Sequence, residues 1–259
     1  MIRNSAQILG VPLTSTSRVT VLEEILNFKA KPKLIIFTPN PEFLVEAAQN
    51  PSFQEILSSS DINLPDGFGL VLAGKILGQP ISERVSGADL TEQLLEAANK
   101  KGEMGGGKWT IGIVGVRRGV RSEASELIKR LPIKFPNITF VNLDDPNYHF
   151  QYSRLRPAKS AGFGGQAKFN VVFACQGMEK QEKWILENKD KINAKIFMGI
   201  GGSLDFLTGF AKRAPRWMRS FGLEWLWRGL QRPEHWRRIW RATLVFGWMV
   251  FKEKLKKLT

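Results

Sequence analysis

Five short segments of the sequence combine residue types that can bind or activate a substrate, and each lies after a predicted strand. They are residues 38–42 (TPNPE), 64–67 (LPDG), 83–90 (ERVSGADL), 177–182 (GMEKQE) and 199–205 (GIGGSLD). Together they offer hydroxyl, amide, carboxylate and guanidinium groups, and a glycine turn with free backbone N–H groups. This set suits proton removal from a hydroxyl and the binding of phosphate groups.

Each of these segments also has a purely structural interpretation. Asp66, at a strand end, can remove a proton from a hydroxyl or can form an Asx turn. Arg84 can bind a diphosphate through two nitrogens, or it can pair with Glu83 or Asp89 in solvent. Both interpretations stay open for each residue when its segment is considered alone.

The other three segments are equally ambiguous. Thr38 and Asn40 precede a helix, so helix capping is the favoured local interpretation. Gln181 and Glu182 begin another helix, where a carboxylate stabilises the helix dipole. The turn at residues 199–205 can offer N–H groups to a phosphate, but it lacks the full dinucleotide-binding spacing.

Short apolar segments alternate with helical patterns along most of the chain. The segments are rich in β-branched residues, as in a parallel sheet covered by helices on both faces. The alternation predicts an α/β fold with a doubly wound, mostly parallel sheet, whose ligands bind beyond the carboxyl ends of the strands. Strands are predicted at residues 33–38, 62–64, 110–116, 138–143, 170–175 and 195–200, and helices at 42–49, 51–58, after Gly67, after Asp89 and at 122–130. Two glycine-rich stretches, at residues 102–107 and 162–165, are predicted to be surface insertions.

Seven segments in a fixed order resemble the WecG/TagA/CpsF glycosyltransferase family: the five above, followed by RAP at 213–215 and GLEWLWR at 222–228. The resemblance covers about residues 8–240. Seven segments in this order are far more specific than any one of the segments alone. It implies a Rossmann-like core with a C-terminal membrane-targeting appendage. It also implies an inverting transfer of N-acetylmannosamine or a related sugar from a UDP-sugar to an undecaprenyl-diphosphate-linked saccharide, in the synthesis of teichoic acid or another cell-surface polysaccharide.

The resemblance also implies roles for individual residues. Asp66 becomes the candidate general base. If the C-terminal segment folds across the pocket, we expect Arg213 and Arg228 to supply positive charge over the leaving diphosphate. Because the UDP-sugar is a substrate, no cofactor is predicted. The chain has two histidines and no Cys/His pair at ligand spacing, so no metal site is predicted either, and the need for a metal ion stays open. The substrate-binding residues implied in this way are Thr38, Asn40, Arg84, Gln181, Asp205, Arg213 and Arg228.

The sequence departs from the family pattern at Glu179. The family usually has a proline before Lys-Gln-Glu, and this chain has a glutamate there. A glutamate removes the rigidity of the proline, and its negative charge is unfavourable beside a diphosphate unless it points away. We therefore expect the loop before Gln181 to be less rigid than in the family pattern.

Positive charge and tryptophan are concentrated near the C-terminus. The whole chain has a net charge of +14, and residues 212–257 contain 13 Lys and Arg against three acids. Six of the eight tryptophans lie at positions 217–248. Tryptophan with arginine is typical of an amphipathic helix that lies in a membrane interface. The residues predicted to contact the membrane are Trp236, Arg237, Arg238, Trp240, Arg241 and Trp248.

Other interpretations of the C-terminal segment are a helical lid packed on the body, which is compatible with membrane contact, and a nucleic-acid-binding surface. Basic and aromatic residues also suit stacking on single strands. Against nucleic-acid binding, the positive charge lies at one end of the chain and no RNA-binding motif occurs.

A third alternative, for the protein as a whole, is a nucleotide-dependent dehydrogenase with the same class of fold. The sequence lacks the Gly-x-Gly-x-x-Gly loop expected of such an enzyme.

The sequence therefore predicts a catalytic domain at residues 1–210 and a basic helical appendage at residues 211–259. The apolar stretch at 243–251 is too short to span a bilayer. The N-terminus lacks the apolar core of a signal peptide, and the single cysteine, Cys175, fits a reducing compartment. We expect a cytoplasmic protein held peripherally on the inner face of the cell membrane. Its expected partners are a UDP-sugar, a polyprenyl-diphosphate-linked acceptor and an anionic membrane surface, with no nucleic acid, and a homo-oligomer is compatible with them.

Overall fold

Short parallel strands form the centre of the molecule. A computed structural model describes residues 5–29, 33–116, 121–145, 169–220, 222–231 and 236–257. Within these residues, six strands form one sheet in the order β4-β3-β8-β7-β5-β6, and every neighbouring pair is parallel. The strands are β3 (Leu34–Phe37), β4 (Ile62–Asn63), β5 (Trp109–Val114), β6 (Ile138–Asn142), β7 (Phe169–Ala174) and β8 (Ala194–Gly199).

Helices cover both faces of this sheet. Successive side chains of a strand point to opposite faces. Thus Ile35 and Phe37 of β3 belong to one buried apolar cluster, and Leu34 and Ile36 to the other. The first cluster is completed by α2 (Pro41–Gln49), α3 (Pro51–Ser58), α4 (Phe68–Ile76) and α7 (Lys180–Asn188), and the second by α1 (Arg18–Asn27), α5 (Gly87–Glu103), α6 (Arg121–Lys134) and α8 (Ser203–Leu207). The predicted α/β fold with a mostly parallel sheet is confirmed.

The predicted elements agree with the structure except at their ends. Helix α5 begins at Gly87, before the expected start after Asp89, because the Ser86 hydroxyl accepts a hydrogen bond from the Asp89 N–H and caps the helix. Helix α6 continues past Arg130 and through Pro132. Residues 102–107 end α5 and form an exposed turn, as predicted, whereas residues 162–165 lie outside the described residues.

An antiparallel hairpin that the sequence did not predict packs against the edge of the sheet. It consists of β1 (Ala6–Ile8) and β2 (Val11–Leu13). The amide of Asn63, in the edge strand β4, donates to the carbonyl oxygens of Pro12 (2.9 Å) and Leu57 (2.7 Å). Asn63 is fully buried, so these two bonds join the hairpin, helix α3 and the sheet.

Four helical segments follow α8, and the last of them packs on the first face of the sheet. They are α9 (Arg216–Ser220), α10 (Glu224–Gln231), α11 (Trp236–Trp240) and α12 (Phe246–Lys256), with a π-helical turn at Arg241–Val245 between the last two. Phe246 and Val250 of α12 are buried in the apolar cluster formed with α2 and α4. Within the described residues, none of the helices is long and apolar enough to cross a bilayer.

Asn63→Ala tests the connection between the hairpin and the sheet. The variant removes these two hydrogen bonds of a buried side chain, although the Leu57 carbonyl keeps its bond from the Ser60 hydroxyl, so we expect the free energy of unfolding to fall by about 1–3 kcal/mol. Urea denaturation measures the loss. Thr139→Ala, an exposed position on strand β6, serves as the control and should change stability by less than about 0.5 kcal/mol. Equal stability of Asn63→Ala and the control would contradict this role of Asn63.

Candidate active site

The loops that leave β3 and β4 meet at the carboxyl edge of the sheet. The Leu64 N–H donates to the carbonyl of Phe37, and the Asp66 N–H donates to the carbonyl of Pro39, each at 2.9 Å. These two bonds continue the strand pairing one step into the loops. Segments 38–42 and 64–67 are therefore held side by side, as their positions after neighbouring strands predict.

The Asp66 carboxylate is fixed at this edge. Its Oδ2 accepts a hydrogen bond from the backbone N–H of Gly87 at 3.1 Å, at the start of α5. Gly67 follows with φ +136°, and a β-carbon there would lie 3.1 Å from the ring of Pro41. The turn after Asp66 therefore requires glycine, which aims the carboxylate away from the sheet.

Asp66 lines a cavity of about 430 Å³. Asn40 and Arg84 lie in the same wall, so three residues of the predicted site share one cavity. Asn40 also caps α2, since its Oδ1 accepts from the N–H groups of Glu42 (2.9 Å) and Phe43 (3.2 Å). The capping interpretation is thus confirmed, and it leaves Asn40 beside Asp66 in the cavity. The opposite wall consists of residues from the C-terminal helices: Gly222, Glu224, Trp225, Arg238, Ile239, Ala242, Thr243, Phe246, Gly247, Val250 and Phe251.

Four arginines converge on Asp89 at one side of this cavity. Its carboxylate lies 2.7 Å from Arg213 and 3.3 Å from Arg219, and 3.9 Å from both Arg84 and Arg18. The Nε atoms of Arg18, Arg213 and Arg219 are buried without a hydrogen-bond partner. Buried cationic donors in excess of their acceptors favour an additional anion.

Arg213 is the central member of this cluster. The Nη1 that contacts Asp89 also lies 3.9 Å from Glu92, Nε lies 3.9 Å from Glu224, and Nη2 donates to the Ser86 hydroxyl at 3.4 Å. Arg213 thereby joins the segment after α8 to helix α5. The structure places it behind the cavity wall, on carboxylates of the protein.

Thr38 and Gln181 lie behind the cavity, where they hold the glycine turn after β8. The Thr38 hydroxyl donates to the carbonyl of Gly199 at 2.9 Å, and the Gln181 Oε1 accepts from the Gly201 N–H at 3.0 Å. Gly199 leaves no room for a side chain, because a β-carbon would lie 2.9 Å from the Gln181 Nε2. Both residues thus shape the turn that was predicted to face a phosphate.

Glu182 extends this network into the core. Its Oε1 accepts from the Gln181 Nε2 at 2.5 Å, and both side chains are almost completely buried. Burial raises the pKa of the Glu182 carboxyl from its ordinary value of 4.5 to about 7, against the opposing effect of the bond from Gln181. The sequence predicted only that Glu182 stabilises the dipole of the helix that it begins.

Glu179, where the family usually has proline, points away from the cavity. Its backbone has φ +66°, which a proline ring with φ near −65° cannot adopt. Burial, together with the charge and hydrogen bond of Glu46, raises the pKa of the Glu179 carboxyl, and the nearby charge of Arg241 opposes that rise. The extra carboxyl therefore interacts with helix α2 and the C-terminal helices.

Two arginines that were predicted to contact the membrane have partners within the protein. Arg238 forms a bidentate pair with the buried Glu42, with N···O distances of 2.8–3.0 Å. Arg241 lies 2.6 Å from Glu46. Both guanidinium groups thus attach the C-terminal helices to α2.

The remaining predicted residues have varied placements. Asp205 is in the first turn of α8, where its carbonyl oxygen accepts from the Ala211 N–H. Arg228 belongs to α10, but its side chain lies outside the described part of the structure. Arg237 is exposed, as are Trp236, Trp240 and Trp248. Within the described residues, no group of three His, Cys, Asp or Glu side chains is arranged to hold a metal ion.

The acids that pair with the arginines, Glu42 and Asp89, were not among the predicted site residues. Glu42 and Asp89 both occur in the recognised segments, TPNPE and ERVSGADL. Asp89 was considered only as an alternative partner for Arg84, and that contact is present at 3.9 Å. The sequence offers one signal for Glu42, an acid that follows a proline in the first turn of a helix. Its partner, Arg238, lies 196 residues away in the chain.

Glu182→Gln tests the effect of burying this carboxyl. Between pH 4.5 and about 7, the folded protein holds a proton that the unfolded chain has lost, so the wild type loses stability as the pH rises. The glutamine variant lacks this loss. We expect its stability relative to the wild type to increase by on the order of 3 kcal/mol between pH 5 and pH 8.

Urea denaturation across that pH range measures the difference. Glu187→Gln, an exposed position on the same helix, is the control and should differ from the wild type by a nearly constant amount. A constant difference for Glu182→Gln as well would show that the carboxyl does not hold a proton in the folded state.

Comparison with known proteins identifies the family of this chain. Residues 6–259 match the family described as "Glycosyl transferase WecG/TagA/CpsF family". Similar proteins include an N-acetylglucosaminyldiphosphoundecaprenol N-acetyl-beta-D-mannosaminyltransferase from Bacillus spizizenii, 34% identical over 86% of this chain and 81% of the relative. Proteins of the same name from Bacillus subtilis (30% identity; 87% and 82% covered) and Staphylococcus aureus MRSA252 (29%; 96% and 93%) are also similar. The chain therefore belongs to the WecG/TagA/CpsF family and is a glycosyltransferase.

Proposed function

We propose that the protein transfers N-acetylmannosamine, or a related sugar, from a UDP-sugar to N-acetylglucosamine linked to a polyprenyl diphosphate, in the synthesis of teichoic acid or another cell-surface polymer. The names of its relatives support the sugar and the acceptor. The observation that carries the proposal is the fixed Asp66 carboxylate in a cavity flanked by the arginine cluster around Asp89. The assignment of uridine diphosphate as the leaving group of the donor depends on the family resemblance.

The reaction in this proposal is a single displacement. The acceptor hydroxyl oxygen forms a bond to the anomeric carbon while the bond from that carbon to the β-phosphate oxygen breaks. Asp66 takes the hydroxyl proton, and UDP leaves with the bonding electrons. Since one carboxylate acts and no covalent intermediate forms, the configuration at the anomeric carbon inverts.

The charges around the cavity suit this displacement. The developing negative charge on the diphosphate needs cationic groups that are in place before the reaction. Arg84 lies in the cavity wall, and it shares Asp89 with three other arginines. An incoming diphosphate would offer acceptors to the buried Nε–H groups of Arg18, Arg213 and Arg219, which have no hydrogen-bond partner.

The exposed face of the C-terminal helices supports attachment to a membrane. Trp236, Trp240, Leu244, Trp248, Phe251 and Leu255 are 45–61% exposed and recur every three or four positions. Such spacing places them along one side of the helices. We call these six residues the aromatic stripe. A row of large apolar side chains in water is unfavourable and is typical of a surface that meets an interface.

The nucleic-acid alternative is weakened by the contacts of the basic residues. Arg213, Arg219, Arg238 and Arg241 all interact with carboxylates of the protein. They do not form a row that follows a phosphate backbone. The basic groups near the aromatic stripe, such as Lys252, suit anionic lipid headgroups.

Asp66→Asn tests the proposed base. The asparagine Oδ1 can still accept the bond from the Gly87 N–H, so the fold and donor binding should be retained. We expect the turnover number to fall by about 10²–10⁴, as for the loss of a general base. Transfer of radiolabelled sugar from UDP-N-acetylmannosamine to a lipid-diphosphate acceptor measures turnover, and calorimetry measures donor binding.

Asp190→Asn is the matched control, since it removes an exposed aspartate carboxylate. It should transfer at the wild-type rate. Wild-type turnover by Asp66→Asn would remove Asp66 from the role of base.

The double variant Trp240→Ala/Trp248→Ala tests membrane attachment. Loss of two aromatic side chains from the stripe should weaken binding to anionic vesicles by at least about tenfold. Sedimentation with phosphatidylglycerol-containing liposomes at physiological salt measures binding. The double variant Met104→Ala/Ile133→Ala, at exposed apolar positions outside the C-terminal helices, should bind like the wild type.

Binding assays on the wild-type protein distinguish membrane binding from nucleic-acid binding. We expect the wild-type protein to pellet with the liposomes and to bind single-stranded RNA weakly at the same salt concentration. A protein that stays in the supernatant and binds RNA tightly would contradict the membrane proposal.

A further inference from the structure

The cavity beside Asp66 continues as an apolar trough between two helices. One wall is α4, whose residues Phe68, Leu72 and Ile76 recur every four positions along one face. The other wall is formed by Thr243, with Phe246, Gly247, Val250 and Phe251 on the face of α12. Because an α-helix rises 1.5 Å per residue, the α4 wall extends about 12 Å away from Asp66.

The lining changes character along this length. Next to Asp66 it contains Asn40 and Arg84, whereas Leu72, Ile76, Val250 and Phe251 supply only hydrocarbon and an aromatic ring. A nucleobase in that far part would leave its polar edge without partners, which is costly. The far part therefore suits a hydrocarbon chain.

The trough is open to solvent and continuous with the aromatic stripe. Phe68, Leu72, Ile76 and Phe251 are each 41–59% exposed, although they are large and apolar. Phe251 belongs to both surfaces, and its ring stacks on that of Trp248 at a centroid distance of 6.0 Å. An apolar path therefore runs from the surface proposed to meet the membrane to the carboxylate proposed as base.

Gly247 keeps the trough open where it passes α12. A β-carbon at this position would have no atom within 4 Å, so it would project into empty space. A glycine inside a helix costs about 1 kcal/mol relative to alanine. The chain accepts this cost at a position that lines the cavity, where any larger residue would narrow it.

We propose that this trough binds the part of the polyprenyl chain nearest to the diphosphate of the acceptor, and that Gly247 sets its width. The occupant is an amphiphile: its sugar-bearing end reaches Asp66, and its chain leads out between α4 and α12 to the aromatic stripe. The inference rests on the proposed function for the identity of the acceptor. It adds helix α4 of the catalytic body to the lipid-binding surface.

Gly247→Leu tests the trough. Leucine favours the helix, so the thermal midpoint should not fall. In detergent micelles, which remove membrane attachment from the measurement, we expect kcat/KM for a long-chain polyprenyl-diphosphate N-acetylglucosamine acceptor to fall by about tenfold or more. An acceptor with the same head group and a methyl group in place of the chain should react with the variant as with the wild type, and KM for the UDP-sugar should not change.

Ser125→Leu, at an exposed position of helix α6 that does not line the cavity, is the matched control. It adds the same leucine side chain to a helix surface away from the trough, so its kcat/KM for the long-chain acceptor should stay within about twofold of the wild type. Equal losses of Gly247→Leu on both acceptors, or a change in KM for the UDP-sugar alone, would overturn the inference. So would an unchanged kcat/KM on both acceptors.

A binding measurement separates this inference from the proposed function. Trp225 lines the cavity, so binding of a sugar-free polyprenyl diphosphate in micelles should change tryptophan fluorescence. We expect Gly247→Leu to bind it about tenfold more weakly than the wild type. No binding to the wild type would overturn the inference, whereas binding without any sugar transfer would support the trough and contradict the proposed reaction.

Discussion

Glu42 and Arg238 lie 196 residues apart in the chain, and their bidentate pair joins the first loop of the sheet to the C-terminal helices. The carboxylate is buried in the first turn of α2, so separating the pair would leave a buried charge without its partner. Arg241 with Glu46 repeats the contact one turn further along, and Asp89 receives Arg213 on the other side of the cavity. These contacts, together with the burial of Phe246 and Val250, hold the second wall of the cavity against the body.

Two groups of polar residues have different relations to this cavity. Asn40, Asp66 and Arg84 line it, whereas Thr38, Gln181 and Glu182 act from behind. The second group fixes the backbone of the turn after β8 through the carbonyl of Gly199 and the N–H of Gly201. A side chain that positions backbone groups affects chemistry without touching a substrate, because preorganised N–H groups stabilise charge only if they stay in place.

The sequence predicted the sheet and the convergence of Asn40, Asp66 and Arg84, since both follow from short-range information. Apolar segments of four to six residues identify strands, and the parallel order brings the loops that follow them to one edge. The docking of the C-terminal helices depends on pairs such as Arg219 with Asp89, 130 residues apart, and no local pattern indicates them. The hairpin β1–β2 was also missed, because strands of three residues give too little alternation to detect.

The Glu179 backbone, with φ +66°, gives the loop before Gln181 its own path into α7. The usual family residue, proline, needs a negative φ, so a chain with proline at this position must enter the helix differently. Replacing Glu179 by proline therefore requires a different loop geometry. In the present geometry the substitution would strain the backbone. A loop that enters α7 by another path would also carry the residue-179 side chain away from Glu46 and Arg241, the residues with which Glu179 interacts.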